Sequence, residues 1–301
     1  AGRLDPMAEG VLILLVDEEN KNRDKYQGLD KEYEFEVLFG LATDTYDLLG
    51  IVDGGEGKKL SFKECPQSLA LVNLPCRQAG SPPEIPNSKS QITKKLPRTE
   101  LMAIDFINGL IGRQVQKYPP YSSYTIDGKP LFQWAKEGKI DEVELPEKEI
   151  VIYESEYLGK RTISAKELHQ AIIERVAKVQ GKFRQEEILK RWQMFFESIK
   201  RGHSGARNSN DEAIESTFEK TQKEDSITLR QAQGSRVTPI HKFNLLASSF
   251  PILKFRIVCS SGTYIRQIAH KLGQITGTGA LCFYIKRTRV GDYKLKDSIH
   301  L

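Results

Sequence analysis

Residues that bind metals or form crosslinks are scarce in this sequence. Four cysteines (Cys65, Cys76, Cys259 and Cys282) and five histidines are scattered over 301 residues. No Cys-x-x-Cys pair occurs, and no histidine is spaced to complete a zinc site, which excludes a zinc ribbon and a dithiol redox motif. Free thiols in a reducing cytosol are the simplest account of such spacing. Long hydrophobic runs are missing as well: none exceeds the six residues of VLILLV (11–16), whereas a membrane-spanning helix needs roughly 20. The first residues show no charged-then-apolar leader pattern. Internal repeats are absent, which excludes solenoids and propellers. The expectation is a cytoplasmic protein without metal or membrane segment.

What is present is ordinary in bulk and uneven in detail. With 39% apolar and 28% charged residues, the composition is that of a globular chain, long enough for one large domain or two smaller ones. The net charge is +5, but Pro251–Leu301 holds nine Lys or Arg against two Asp or Glu. A local excess of this kind suits a polyanion, nucleic acid first, with a solvated basic face as the ordinary alternative.

Along the chain, VLILLV (11–16) reads as a buried strand following a Leu-Asp-Pro turn. KEYEFEVLFG (31–40) alternates, which sets Tyr33, Phe35 and Val37 on one face of a strand. LATDTYDLLG reads as a loop, because Thr and Asp side chains compete for backbone hydrogen bonds. Residues 54–100 read as a surface insertion, and TELMAIDFINGLIG as a helix with Thr99 at its N-cap. Asp127-Gly128 signals a hairpin turn before a short helix carrying Leu131, Phe132, Trp134 and Ala135. EKEIVIYESEYL is a further strand. Residues 160–250 form a second insertion, helical and then flexible. Its first helix opens on the capping box Ser164-x-x-Glu167 with a stripe of Leu168, Ile172, Val176 and Val179. Its second carries Ile188, Trp192, Phe195 or Phe196, and Ile199. ILKFRIVCSSGTYIRQIAHKLG reads as strand, turn and helix, and LCFYIKRTRVGDYKL as a strand or hairpin. Strands and helices mix without a βαβ rhythm, so the class is α+β.

Three separated segments together resemble the TruB family of pseudouridine synthases: GRLDPMAEGVL, KEYEFEVLFGLATDTYDLLG and CSSGTYIRQIAHKLGQITGTGALCFYIKRTRVG. YPPYSSYTIDGKPLFQWAKEG is a weaker fourth, and the order and spacing agree as well as the words. The resemblance implies a mixed, mainly antiparallel central sheet with flanking helices, residues 1–301 forming a single catalytic domain with the two insertions. It implies that Asp5 is the nucleophile, kept ionised by Arg266. Tyr33 is implied to stack on the flipped base and to be a candidate acceptor of the C5 proton. Tyr264 is implied to touch the substrate, Ile285 to line the uracil pocket, and Asp47 to hold polar groups of the site in place. The implied substrate is a uridine in the T-stem loop of tRNA, usually position 55, isomerised without a cofactor. Lys286, Arg287 and Arg289, with Lys294, are candidate phosphate contacts in the basic C-terminal segment.

The family pattern also has a strand, a helix and a turn ahead of the Leu-Asp-Pro box, and many members carry a C-terminal RNA-binding domain. Neither occurs in the residues given, so the chain reads as N-terminally incomplete. No obligate protein partner is evident, and a monomer is expected. Two other readings stay open: a guide-RNA-dependent enzyme acting on ribosomal RNA, and a non-catalytic tRNA-binding protein.

Overall fold

The computed structural model describes residues 2–52, 97–203 and 249–299. The elements, in chain order, are β1 (Ala8–Gly10), α1 (Arg23–Gly28), β2 (Lys31–Phe39), α2 (Arg98–Gly109), β3 (Gly112–Lys117), β4 (Thr125–Ile126) and β5 (Lys129–Pro130). They continue with α3 (Leu131–Lys136), β6 (Glu147–Ser164), α4 (Ala165–Lys178), α5 (Gln185–His203) and β7 (Ser249–Cys259). The last are α6 (Ile265–Thr276), β8 (Ala280–Val290) and β9 (Tyr293–Lys294).

Seven strands make one sheet in the order β1-β8-β2-β7-β6-β3, with β9 pairing β8 off that path. Among the described strands of this sheet β1 alone runs parallel to its neighbour, and the other pairs are antiparallel. The class is therefore α+β with a mainly antiparallel sheet, as the residues suggest. The alternation of β2 sorts its side chains as expected. Phe35 and Val37 are buried with Phe255, Ile257 and Ile285 under α2 and α6, and the partly buried Tyr33 packs against them. Glu32, Glu34 and Glu36 point to the other face, where Arg256 bridges Glu32, Glu154 and Glu156 at 2.9–3.1 Å. Lys254 pairs with Glu34 at 2.6 Å on that same face.

The remainder of that face is covered by the α4–α5 hairpin. Leu168, Ile172 and Val176 of α4 and Ile188, Trp192, Phe195 and Phe196 of α5 close a second core with Leu38, Ile252 and Leu281. The capping box forms: the Ser164 hydroxyl accepts from the Glu167 amide, and the Glu167 carboxylate accepts from the Ser164 amide at 2.9 Å. Arg175 of α4 donates to the Phe283 carbonyl of β8, tying the hairpin to the sheet. The Asp127-Gly128 turn forms between β4 and β5, both residues at positive φ (51° and 77°), as a two-residue turn of the primed type needs.

Three expectations need correcting. VLILLV is not a strand: β1 ends at Gly10, Val11 is buried, and Leu12, Leu14 and Val16 are 47%, 64% and 69% exposed. Apolar side chains are buried only where another layer lies over them, and here Ile13 and Leu15 are partly buried while Leu12, Leu14 and Val16 face outwards. The α2 helix starts at Arg98 behind Pro97, so Thr99 lies inside it and caps nothing. The strand read at EKEIVIYESEYL continues to Ser164, paired residue by residue with the first residues of β7, so the stretch from 160 opens as strand before its helices. The loop read at 54–100 lies outside the described residues up to 96, and of the linker read at 200–236 only 200–203 are described, as the end of α5.

Candidate active site

Asp5 begins a tight turn in which the Ala8 amide donates to the Asp5 carbonyl at 2.9 Å and Pro6 takes the second position. Proline presets the φ that position requires and has no amide to leave unpaired. The turn delivers the chain to β1, whose Gly10 (φ +112°) lies against β8. A Cβ there would come within 2.2 Å of the Arg287 carbonyl oxygen, so only glycine fits.

Opposite Asp5 stands Arg266, 261 residues away in sequence, in the first turn of α6. Its Nε donates to one carboxylate oxygen of Asp5 at 2.8 Å and an Nη to the other at 3.0 Å, a bidentate fork. The guanidinium is 3% exposed and also donates to the Thr45 carbonyl at 2.7 Å and the Tyr121 carbonyl at 3.4 Å. Burial works against its charge, but the carboxylates of Asp5 and Asp47 outweigh burial and raise its pKa further. Asp47 lies 3.6 Å from Arg266, and its Oδ1 accepts from the Thr45 hydroxyl (2.6 Å) and the Leu49 amide (2.9 Å). Burial raises the Asp47 pKa, and Arg266 and Thr45 offset this in part. The Thr/Asp competition read in TDTYD is therefore present as a cross-bonded loop, with the Thr43 hydroxyl donating to the Asp47 carbonyl at 2.6 Å.

Asp5, Tyr33, Asp47, Tyr264, Arg266 and Ile285 all line one cavity of about 890 Å³. Tyr33 reaches it from the core face of β2 and Ile285 from β8, beside each other because Tyr33 pairs with Arg287 and Phe35 with Ile285. Burial pushes the phenols of Tyr33 and Tyr264 up to about 12, so both are protonated at neutral pH. The Ser260–Tyr264 turn sets Tyr264 in place. Gly262 adopts φ +79°, and a Cβ there would lie 2.0 Å from Lys148 Nζ.

Of the expected phosphate contacts, Arg287 alone borders the cavity, and Lys286 and Arg289 do not. Arg287 is 1% exposed, and its guanidinium donates to the carbonyls of Val11 (2.7 Å), Gly2 (3.2 Å) and Arg3 (3.5 Å). It clamps the segment that carries Asp5, because a buried guanidinium must have its donors satisfied inside. Lys286 points to the opposite face of the sheet, 3.8 Å from Glu9, and Arg289 lies 3.8 Å from Glu32. Lys294 is exposed on β9. A count of charges along a strand cannot tell its two faces apart.

Two supports went unread in the sequence. Gln116 on β3 grips the backbone of Tyr264 from both sides: its Oε1 accepts from the Tyr264 amide at 2.8 Å and its Nε2 donates to the carbonyl at 3.0 Å. Lys31, the lysine of Lys-x-Tyr, is buried beside the cavity and donates to the carbonyls of Gln27 and Leu29. Burial, helped by Arg287, lowers its pKa to about 8. The only local signals were their places beside the Tyr-Pro-Pro and Lys-x-Tyr words.

Comparison with known proteins gives a consistent result. Residues 1–83 match the model of the TruB family pseudouridylate synthase (N terminal domain). A tRNA pseudouridine synthase B of Flavobacterium johnsoniae is 40% identical over 67 residues, 22% of this chain and 29% of that protein. That of Opitutus terrae is 24% identical over all 301 residues, spanning 72% of its own length, and that of Bacteroides thetaiotaomicron 23% over 299, spanning 73%. A chain in the crystal structure of a Cbf5-Nop10-Gar1 complex aligns with 97% of this chain and 40% of its own length. Its TM-score of 0.38 and 13% identity are too loose a likeness to carry an argument. With the Leu-Asp-Pro turn, the Lys-x-Tyr strand and the Gly-Thr-Tyr-Ile-Arg helix start gathered on one cleft, residues 1–83 match the TruB family of pseudouridylate synthases and the chain as a whole is similar to proteins named tRNA pseudouridine synthase B.

Proposed function

We propose that this chain is the catalytic part of a tRNA pseudouridine synthase, isomerising a uridine of the T-stem loop at position 55 with Asp5 as nucleophile and no cofactor. The observation that carries the reading is the bidentate Asp5–Arg266 pair on the wall of a cavity flanked by Tyr33 and Tyr264. The relatives named tRNA pseudouridine synthase B support the same substrate class.

The isomerisation breaks the bond from uracil N1 to ribose C1′, turns the base, forms a bond from C5 to C1′ and moves the C5 proton to N1. Atoms and electrons balance within the nucleotide, so no redox partner enters. Asp5 supplies the carboxylate for C1′, and Arg266 holds that carboxylate aimed through its two hydrogen bonds. Tyr33 offers the extracted base an aromatic face, a contact worth ~1–3 kcal/mol. With its phenol at about 12, Tyr33 would first have to give up its own proton before taking one from C5, so stacking is the role its environment favours. Ile285 closes the apolar side of the base pocket, and Asp47 holds Arg266 from behind. Reaching a base inside a folded loop requires flipping it out of its stack.

The test is tritium release from a tRNA transcript carrying [5-³H]uridine, with the modified position mapped. The chain is expected to release tritium from position 55. Asp5→Asn, which keeps the size of the side chain but not its charge, is expected to lower release by roughly 10⁴-fold or more while tRNA binding changes little. Binding without release from the unaltered chain would turn the reading to a tRNA-binding protein.

A further inference from the structure

The α4–α5 hairpin lies outside the segments that carry the family resemblance, yet its turn lines the same cleft as Asp5. Lys182, Phe183 and Arg184 are consecutive residues of that lining.

The turn is braced from both sides. Arg184 sits at φ +60°, a left-handed conformation that is unfavourable for a residue with a Cβ and persists where its surroundings hold it. Its guanidinium donates to Asp44 Oδ2 at 2.9 Å and stacks 4.7 Å from the centre of the Tyr121 ring. Asp44 belongs to the loop that carries Asp47, and the Tyr121 carbonyl accepts from Arg266, so the hairpin is fastened to the immediate surroundings of Asp5. From inside the turn, Gln185 Oε1 accepts from the Phe183 amide at 2.9 Å, and its Nε2 donates to the carbonyls of Val179 (3.2 Å) and Gly181 (2.6 Å).

Charge gives the turn its direction of use. Of the residues lining the cleft, eight are Lys or Arg and two are Asp. Most of the eight are engaged: Arg266 with Asp5, Arg184 with Asp44, and Arg287, Lys31 and Lys148 with backbone carbonyls. Lys182 is exposed and carries no ion pair among the described residues.

We propose that the 179–184 turn is a substrate-recognition element, with Lys182 contacting a backbone phosphate of the RNA whose base enters the cleft and Arg184 acting as the positioning residue that holds the turn. This rests on the reading of the cleft as an RNA-modifying site. Lys190 is a matched control, because it is exposed on α5, the helix that follows the turn, and does not line the cleft.

The experiment measures the dissociation constant of a tRNA transcript across a salt series, with kcat and KM from tritium release, for the unaltered chain, Lys182→Glu, Lys190→Glu and Arg184→Ala. Lys182→Glu is expected to weaken binding about 10-fold at low salt, flatten the log–log salt slope by about one and raise KM with kcat kept. Lys190→Glu is expected to stay close to the unaltered chain. Arg184→Ala is expected to raise KM with little change in kcat. Lys182→Glu behaving like the unaltered chain, or Lys190→Glu losing as much as Lys182→Glu, overturns the proposal while the functional reading stands. A fall in kcat with KM unchanged in Arg184→Ala overturns its role in holding the turn. Failure of the unaltered chain both to bind and to modify tRNA overturns both readings.

Discussion

Tyr264 is gripped by one amide side chain in the way a neighbouring strand would grip it, with Gln116 supplying both a donor and an acceptor to its backbone. Gln116→Leu keeps the volume and leaves the Tyr264 amide unpaired, while the carbonyl keeps only the Ile268 amide at 3.4 Å, a cost of about 1–3 kcal/mol. The expected outcome is a drop of roughly 10-fold in kcat/KM in the tritium assay, with a melting temperature lowered by several degrees but a still cooperative transition, since Tyr264 drifts while the sheet stands. At this scale the sequence was informative wherever a residue sat in one of the short words that carry the family resemblance. Asp5, Tyr33, Asp47, Tyr264, Arg266 and Ile285 were singled out from it, and they share one cavity. Arg287 was singled out too, as a surface cation, and lies buried against the carbonyls of Gly2, Arg3 and Val11. Its neighbours in sequence say that it is basic, but not which way its strand faces.

Among the elements, α6 brings Arg266 to Asp5 and also carries a titratable group in its buried face. His270 stacks on Tyr46 at 3.8 Å, with the Gln274 amide nitrogen 3.1 Å from its Nε2, and burial lowers its pKa to about 4. In the unfolded chain its pKa is near 6.5, so between about 6.5 and 4 the unfolded state binds the proton and the folded state does not. Stability due to this group is present above pH 6.5 and is lost as pH falls through that window, by roughly 3 kcal/mol in all. Urea melts from pH 7 to 4 should show the loss, and His270→Gln should flatten it; equal slopes in both would refute the assignment. The α4 helix was legible down to its cap, because Ser164 and Glu167 interact within four residues. The VLILLV run was misread for the converse reason: its composition is local, but which of its side chains are covered is decided by packing, which leaves Leu12, Leu14 and Val16 exposed.

For the whole molecule, the hairpin covers the face of the sheet opposite the α2–α6 layer and reaches around to the cleft. Ile172 is fully buried at its contact with the sheet, so Ile172→Ala is expected to cost about 2–5 kcal/mol. A lowered urea midpoint with an unchanged m-value would show loss of packing. A fall of m as well would show that the hairpin detaches separately from the sheet. The hairpin's own stripe was readable in Leu168, Ile172 and Val176, but its docking site on Leu38, Ile252 and Leu281 was not.

Sequence alone determined most of the elements, the turn chemistry around Asp5 and Tyr264, the α+β class and the family resemblance, because periodicity, caps and short motifs are written within a few consecutive residues. The tertiary structure decided which basic residues look into the cleft, that Arg287 is a clamp, that Leu12, Leu14 and Val16 stay exposed, and that Lys182 and Arg184 of the hairpin turn stand beside Asp5. Those outcomes depend on contacts between residues more than 100 positions apart, and such contacts are set by which faces pack together.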